Sequence, residues 1–213
     1  MPTRPRLLDL FCGSGGAAMG YHRAGFEVVG VDLHPQSHYP FEFHQGDALT
    51  FPLEGFDAIH ASPPCQDYSK ALRHFATGYP RLIEDVLSMV QGRNWVIENV
   101  PGAPLWTSDT LWGDHGVLLC GSMFGLRVRR HRLFQTSFPL PVYSLPCDHR
   151  KAPLNPYNAS SRKRDGIESH AMDHYARAMG IEWVKGRQIG EGIPPAYTQW
   201  IGERLLAELE EKR

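Results

Sequence analysis

Three features of the sequence predict an α/β fold with a doubly wound, Rossmann-like sheet. Short apolar runs alternate with helix-compatible segments over residues 6–136. A glycine-rich turn, residues 13–16, separates the first apolar run from the first helical segment, and an acid, Asp32, ends the second run. Strands that alternate with helices form a largely parallel sheet covered on both faces. Ligands bind such sheets at the carboxyl ends of the strands.

The individual elements follow in chain order. Strands are predicted at residues 6–11, 27–31, 56–61 and 94–100, with shorter ones at 116–119 and 133–136. Helices are predicted at residues 17–24, which Gly25 ends, and at 81–90, where apolar residues have helical spacing. Proline-rich sequence from residue 138 to 157 predicts irregular structure. Two further helices are expected, at residues 168–179 and from Pro194-Pro195 to the end, since prolines suit a first helical turn. We therefore predict one domain, residues 1–137 and 187–213, interrupted by a small irregular insert, residues 138–186.

Composition limits the class of protein. With 42% hydrophobic and 21% charged residues, the chain has an ordinary globular composition. Its apolar runs fall well short of the roughly 20 residues of a membrane helix, and its first residues do not resemble a secretory signal. We expect a cytoplasmic location and no membrane contact.

The net charge of −1 does not by itself indicate nucleic-acid binding, but basic residues cluster at 127–132 and 162–164. For the second cluster, a solvated charged face is the favoured interpretation.

The four cysteines, Cys12, Cys65, Cys120 and Cys147, form no C-x-x-C pair. Their wide spacing is not typical of a disulfide framework or a zinc ribbon. Cys147 and His149 offer two metal ligands in a proline-rich loop, which is weak support for a site. We predict no metal.

The glycine-rich turn lies in the motif Asp9-Leu10-Phe11-Cys12-Gly13-Ser14-Gly15-Gly16. Because no lysine follows, a phosphate-binding loop is not predicted. The turn suits a ligand with a nucleoside and an amino-acid tail. Asp32 is placed to accept hydrogen bonds from ribose hydroxyls, and Asp47 offers an acid for an exocyclic amine. A purely structural turn is the alternative, which the two acids disfavour.

Two motifs directly follow or end predicted strands. In Ala61-Ser62-Pro63-Pro64-Cys65-Gln66, the cysteine is a candidate nucleophile whose pKa nearby cations would lower; an inert structural cysteine is the alternative. In Glu98-Asn99-Val100-Pro101, the carboxyl group ends an apolar strand. Burial would raise its pKa so that it carries a proton near neutrality, whereas a satisfied structural acid is the alternative.

Together these segments resemble the DNA cytosine-5 methyltransferase family, whose signatures are F-x-G-x-G, P-C-Q, E-N-V and Q-x-R-x-R with a closing glycine-asparagine segment. The resemblance covers residues 7 to about 136 and 187–206. It implies a class I methyltransferase sheet, S-adenosylmethionine as cofactor, double-stranded DNA as partner and residues 138–186 as a short target-recognition region. A monomeric bacterial or phage enzyme is expected by the same analogy.

The resemblance also implies residue roles. Cys65 would attack cytosine C6, Glu98 would bind N3 and the exocyclic amine of a flipped base, and Arg132, with Arg130 beside it, would hold O2 or a neighbouring phosphate. The implied cofactor site comprises Phe11, Gly13, Ser14, Gly16, Asp32, Leu33, Asp47, Ala48, Pro64 and Glu191. The implied nucleic-acid contacts are Gln66, Ser69, Lys70, Arg73, Arg127 and Arg129, the first four in a loop, residues 66–79, expected to close over the base.

Three departures from the family pattern are visible. Val128 replaces the glutamine of Q-x-R-x-R, and Glu191 replaces the usual asparagine of the closing segment. The third departure is the short recognition region, from which we expect a very short target site, about a dinucleotide. Methylation of cytosine in RNA or in free nucleotides remains an alternative, because RNA enzymes of the transfer-RNA type share P-C-Q and E-N-V. A non-catalytic binding module is disfavoured because Cys65, Glu98, Arg130 and Arg132 are all present.

Overall fold

The computed structural model describes residues 4–65, 68, 80–105, 115–140, 147–150, 154 and 172–212. Within them, seven strands form one sheet: β1 (Arg6–Leu10), β2 (Glu27–Asp32), β3 (Glu42–Gln45), β4 (Ala58–Ala61), β5 (Trp95–Asn99), β6 (Gly116–Leu119) and β7 (Arg132–Thr136). The helices are α1 (Gly16–Ala24), α2 (Ile83–Met89), α3 (Met172–Met179) and α4 (Pro195–Glu211), with 3₁₀ turns at Gly121–Phe124 and Gly186–Gly190.

The strand order is β3-β2-β1-β4-β5-β7-β6. Strands β1 to β5 pair in parallel, and β7 runs antiparallel to both β5 and β6. The predicted doubly wound α/β sheet is confirmed. Strand β3 is absent from the sequence prediction, because its four residues are mostly polar and half-buried or exposed at the sheet edge. It is held by its parallel pairing with β2 rather than by a buried face.

Apolar side chains cover both faces of the sheet. Leu7, Val28 and Phe134 belong to a cluster that includes α1 and α4, whereas Leu8, Val29 and Ile97 belong to a second cluster with α2. Neighbouring residues of one strand fall in different clusters because side chains alternate between the faces. Hydrophobic burial on both faces therefore fixes the register of the strands, and with it the edge at which their carboxyl ends meet.

Helix α4 packs tightly on α1. The Thr198 hydroxyl donates to the carbonyl of Ala17 over 2.8 Å. A Cβ on Gly20 would collide with Thr198 Oγ1 and the carbonyl of Pro195, and one on Gly202 would lie 2.8 Å from Ala24 Cβ. Glycine at these two positions lets the helix backbones approach. Pro195 opens α4, as expected from its missing N–H.

A third cluster joins residues of the insert to Val128 and Ile189 on either side of it; its insert members are Leu154, Tyr175, Ala176, Met179, Ile181 and Val184. Val128 pairs with Leu154 as an isolated β-bridge and is fully buried. An apolar residue therefore suits the position at which the family pattern has glutamine. Helix α3 begins at Met172 among the described residues, and residues 168–171 of the predicted helix lie outside them. None of the helices in the described ranges is long and apolar enough to cross a membrane.

Candidate active site and cofactor edge

The turn after β1 has an unusual backbone. Phe11 has φ 57°, and Gly13 and Gly15 have φ 49° and 79°. Glycine adopts this left-handed region without the steric cost of a Cβ. A Cβ on Gly13 would meet nothing within 4 Å, so the turn borders open space, whereas one on Gly16 would collide with the carbonyl of Ile193. The turn thus presents a free backbone on one side and packs against the closing segment on the other.

Asp32 ends β2 beside this turn. Its Oδ2 accepts a 3.0 Å hydrogen bond from the Gly13 N–H, and Oδ1 accepts one of 3.0 Å from the His34 N–H. The carboxylate therefore orients the glycine turn, and each oxygen keeps a second lone pair for a ligand. Leu33, the next residue, is 62% exposed, which is unusual for a large apolar side chain.

The remaining predicted cofactor residues lie around the same edge. Asp47 is exposed and Ala48 is buried, just after β3, and the Asp47 carboxylate accepts from the Leu49 N–H over 2.9 Å. Ser14 is buried, and its carbonyl accepts from Trp183 Nε1 over 2.9 Å. Pro64 is half-buried in the loop after β4.

Glu191 lies in the closing segment. It is exposed and follows the 3₁₀ turn Gly186–Gly190. Two residues later, Ile193 packs on Gly16. The side-chain amide of Gln188 donates to Gln36 Oε1 over 2.8 Å. These contacts bring the closing segment to the end of β2 and to the glycine turn.

Cys65 is the fourth residue after strand β4, and its side chain is half-buried. The loop that carries it is tied to β5, because Asn99 Nδ2 donates to the carbonyl of Pro63 over 3.0 Å. Asn99 is fully buried, and its Oδ1 accepts from the N–H of Val100 over 2.9 Å. The asparagine of E-N-V therefore fixes the loop bearing the cysteine.

Glu98 and Arg132 form a buried ion pair. Glu98 Oε1 lies 2.6 Å from Arg132 Nε, and each side chain is less than a tenth exposed. Burial raises the pKa of Glu98, and the charges of Arg132 and Arg130 and a hydrogen bond from Ser62 oppose that rise. The net rise favours the protonated form of this carboxyl group more than in an exposed glutamate.

Arg130 is completely buried beside this pair. Its Nη1 donates to the carbonyl of Gly190 over 2.9 Å, and its own carbonyl accepts from the Tyr197 hydroxyl over 2.6 Å. Arg130 therefore joins the segment before β7 to the closing segment, in addition to its electrostatic effect on Glu98 and Cys65.

The expectation that cations lower the pKa of Cys65 is wrong in its net direction. Burial and the nearby Glu98 raise the pKa of this thiol, and the opposing effects of Arg132 and Arg130 are smaller. The arginines are close enough to act on the thiol, as expected, but desolvation of a thiolate outweighs them.

A buried polar chain that the sequence reading missed leads to Glu98. The Tyr21 hydroxyl lies 3.0 Å from His60 Nδ1, and His60 Nε2 lies 2.9 Å from the Ser62 hydroxyl. Ser62 in turn hydrogen-bonds Glu98. Burial lowers the pKa of His60 to about 3, so its imidazole is neutral. The signal in the sequence is a single histidine among the apolar residues 58–61, at the end of a predicted strand.

The predicted nucleic-acid contacts are only partly described. Gln66, Ser69, Lys70 and Arg73 lie outside the described residues. Arg127 is exposed and Arg129 half-buried, and their segment pairs with Leu154, whose carbonyl accepts from the Arg129 N–H over 2.6 Å. The two arginines thus lie where the sheet domain meets the insert.

Sequence comparison relates this geometry to known proteins. Residues 5–105, which include the glycine turn, Cys65 and Glu98, match the family model of the C-5 cytosine-specific DNA methylases. The type II methyltransferase M.HgiGI of Herpetosiphon aurantiacus is 32% identical over 120 residues, which are 47% of this chain and 94% of the relative.

The chain belongs to the C-5 cytosine-specific DNA methylase family.

Two other relatives are matched by this chain over only part of their length. M.HgiDI of Herpetosiphon aurantiacus is 30% identical over 156 residues, 61% of this chain but 50% of the relative. M.HgiCI, from the same organism, is 33% identical over 115 residues, and only 27% of its length is covered. The chain thus spans from about a quarter to a half of the length of these two curated relatives.

Solved structures share the fold of this chain. Dnmt2 methyltransferase of S. pombe superposes with a TM-score of 0.61, at 14% identity, over 97% of this chain and 99% of that chain. A mutant of Spodoptera frugiperda DNMT2 gives a TM-score of 0.62, at 13% identity, with the same coverage. At such identities the likeness shows a common Rossmann-like architecture.

Proposed function

We propose that the chain transfers a methyl group from S-adenosylmethionine to C5 of cytosine in double-stranded DNA, through a covalent bond between Cys65 and C6 of a flipped base. The observation that carries this proposal is the convergence of a half-buried thiol with the buried Glu98–Arg132 pair at the carboxyl ends of β4 and β5. Membership of the C-5 cytosine-specific DNA methylase family supports it.

The edge formed by β1, β2 and β3 fits the cofactor. The open space beside Gly13 admits an amino-acid tail, the Asp32 carboxylate has lone pairs for ribose hydroxyls, and the exposed Leu33 offers an apolar surface to adenine. Asp47 supplies an acceptor for the adenine amine. Bound S-adenosylmethionine supplies an electrophilic methyl group on a sulfonium sulfur. Its positive charge would also favour the thiolate of Cys65, whose pKa is raised in this structure.

Cytosine C5 is too weak a nucleophile to take that methyl group unaided. The Cys65 thiol loses its proton to water, and its sulfur forms a bond to C6, while protonated Glu98 donates to N3. This addition makes C5 enamine-like. After C5 gains the methyl group, a base removes the C5 proton, the C5–C6 double bond re-forms, and the Cys65–C6 bond breaks. Glu98 then recovers the N3 proton, the expelled Cys65 thiolate takes a proton back from water, and the C5 proton passes from the base to solvent, so the enzyme is unchanged.

Arg132 has two functions in this scheme. Its guanidinium compensates the charge of Glu98, and the family resemblance assigns it the O2 atom of the base as a second partner. A stacked base does not reach a site with these buried groups, so the target nucleotide must leave the duplex. The short insert is consistent with a short target site, about a dinucleotide, which bisulfite sequencing of modified DNA would define.

The decisive experiment uses methyl-tritiated S-adenosylmethionine with unmethylated duplex DNA, and with RNA and deoxycytidine as competing acceptors. We expect label in DNA as 5-methylcytosine and none with Cys65→Ala. The variant should bind the cofactor as the wild type does, which separates loss of chemistry from loss of folding. Labelling of RNA or deoxycytidine in preference to DNA would show that the preferred acceptor, and not DNA, is the substrate. Equal labelling by the wild type and Cys65→Ala would overturn the covalent mechanism.

Duplex DNA that contains 5-fluorocytosine at the target gives a second test. Fluorine at C5 is not removed as a proton, so the Cys65–C6 bond should persist. We expect a denaturation-resistant protein–DNA band with the wild type and none with Cys65→Ala.

A further inference from the structure

Four thiol and imidazole groups meet on the side of the sheet where β6 and β7 adjoin the insert. They are Cys120, His131, Cys147 and His149, and their ligand atoms all lie within 4.8 Å of one another. Cys120 follows β6 and is buried, His131 precedes β7 and is half-buried, and Cys147 and His149 are exposed. The sequence suggested two of these ligands, and the fold adds the other two.

We propose that Cys120, His131, Cys147 and His149 bind a structural Zn²⁺ ion. Two sulfur and two nitrogen ligands form the donor set that tetrahedral zinc prefers. With Zn–S near 2.3 Å and Zn–N near 2.0–2.1 Å, ligand atoms around such an ion lie about 3.3–3.8 Å apart. The Cys147 Sγ to His131 Nε2 distance is 3.6 Å. The His131 and His149 ring centroids are 5.1 Å apart with the planes at 77°, and one nitrogen of each ring belongs to the set of ligand atoms within 4.8 Å of one another.

The surroundings favour four ligands rather than more. Asp148, between Cys147 and His149, is paired with Arg150, whose Nε lies 3.0 Å from Oδ1 and whose Nη2 lies 3.2 Å from Oδ2. Its carboxylate is therefore already paired, and it is not among the four groups whose ligand atoms lie within 4.8 Å of one another. The Ser122 hydroxyl donates a hydrogen bond to Cys120 Sγ over 3.5 Å. Ser122 is not itself a ligand, and this hydrogen bond would stabilise the thiolate form of Cys120. On binding, Zn²⁺ forms two bonds to sulfur as the thiols of Cys120 and Cys147 release their protons to solvent.

The ion would join two parts of the protein. His131 lies between Arg130 and Arg132, whereas Cys147 and His149 belong to the insert. Zinc at this position would hold the start of the insert against the β6–β7 pair and restrain the segment that carries both arginines. This site is independent of methyl-transfer chemistry, since none of its four ligands takes part in the proposed reaction.

Metal content tests the proposal on the full chain. We expect about one zinc per chain by mass spectrometry of the metal, and loss of at least nine-tenths of it in the Cys147→Ser/His149→Ala double variant. Both changed residues are exposed, so the sheet core should stay folded. Cys12→Ala, which removes a thiol outside the cluster, should retain the zinc. Zinc retained by the double variant, or a wild type that takes up none from added Zn²⁺, would overturn the site.

Cobalt gives a readout of the ligands themselves. Titration of the metal-free protein with Co²⁺ should produce the ligand-field bands of a tetrahedral site and sulfur-to-metal charge-transfer absorption, both absent from the double variant. Added Zn²⁺ should raise the Tm of the metal-free wild type by several degrees but not that of the variant. An octahedral cobalt spectrum, or a Cys120–Cys147 disulfide found by thiol counting in protein purified under reducing conditions, would contradict the proposal.

Discussion

His60 Nε2 lies 2.9 Å from the hydroxyl oxygen of Ser62, at the carboxyl end of β4. Because His60 is neutral, only one of its ring nitrogens carries a proton. The position of that proton decides which groups donate and which accept along the hydrogen bonds from Tyr21 to Glu98. When the Tyr21 hydroxyl donates to Nδ1, Nε2–H donates to Ser62 and the Ser62 hydroxyl is free to donate to Glu98. His60 and Ser62 thereby influence the protonation of the Glu98 carboxyl group, which contacts the cytosine base in the proposed reaction.

Removal of the Ser62 hydroxyl should move the pH profile of methyl transfer. Its hydrogen bond lowers the pKa of Glu98, so Ser62→Ala should raise that pKa further. A hydrogen bond to a charged group contributes about 1.5–3 kcal/mol, or roughly one to two pH units. We expect the alkaline limb of kcat/KM, where Glu98 loses its proton, to move upward by that amount. Ser62→Thr keeps the hydroxyl and should leave the limb in place; an unmoved limb in Ser62→Ala would show that Ser62 has only a structural role.

Loss of Arg132 should be costly to stability as well as activity. Arg132→Ala leaves the Glu98 carboxyl group buried without its ion-pair partner, and such a change costs about 3–5 kcal/mol. Urea unfolding of the two proteins measures this difference. Glu54→Ala is the control, because the Glu54–Arg93 pair is largely exposed on the glutamate side and its loss should cost less than about 1 kcal/mol. Equal losses in the two variants would contradict the assignment of Glu98–Arg132 as a buried pair.

The stability of the protein should fall between pH 5 and 8 because of Asp9. Burial, followed by the charge of Asp32, raises the pKa of Asp9 from 3.8 to about 8, and a 3.3 Å hydrogen bond from the Tyr39 hydroxyl opposes the rise. The stabilisation from the protonated carboxyl is complete below the unfolded pKa and is lost as pH rises through the folded one. One such group changes stability by at most about 1.4 kcal/mol per pH unit.

Asp9→Asn removes this linkage. The Tm of the wild type should decline from pH 5 to 8, whereas that of Asp9→Asn should be flatter over the same range. Tyr39→Phe should extend the decline to higher pH, because it removes a hydrogen bond that favours the charged form of Asp9 and so raises its pKa further. Parallel curves for the wild type and Asp9→Asn in a thermal melting series would refute the assignment.

Leu33 should contribute to cofactor affinity without contributing to stability. Its side chain is 62% exposed next to Asp32, so covering it with adenine would remove apolar surface from water. We expect Leu33→Ser to raise the Kd for S-adenosylmethionine about tenfold, the equivalent of roughly 1.4 kcal/mol. Leu118→Ser is a matched control, because Leu118 is 42% exposed on β6 at the far edge of the sheet. Calorimetric titration should show an unchanged Kd for that control; equal weakening in both would indicate a general effect on folding.

Much of this protein was accessible from the sequence. Alternating apolar segments predict six of the seven described strands, with ends within two residues of those observed. Cys65 and Glu98 follow or end neighbouring parallel strands, so their proximity follows from the topology rule for such sheets. The edge strand β3 was not predicted, because four mostly polar residues carry no hydrophobic pattern and depend on pairing with β2.

The sequence by itself determined the sheet, the glycine turn and the three motifs, because each depends on local pattern and chain order. Only the tertiary structure decided the environment of those groups. Desolvation outweighs the arginines at Cys65, the β4–β5 register brings Ser62 to Glu98, and β6, β7 and the insert assemble Cys120 with His149. Burial and proximity arise from contacts between distant segments, and a pKa or a ligand set depends on the sum of those contacts rather than on any one stretch of sequence.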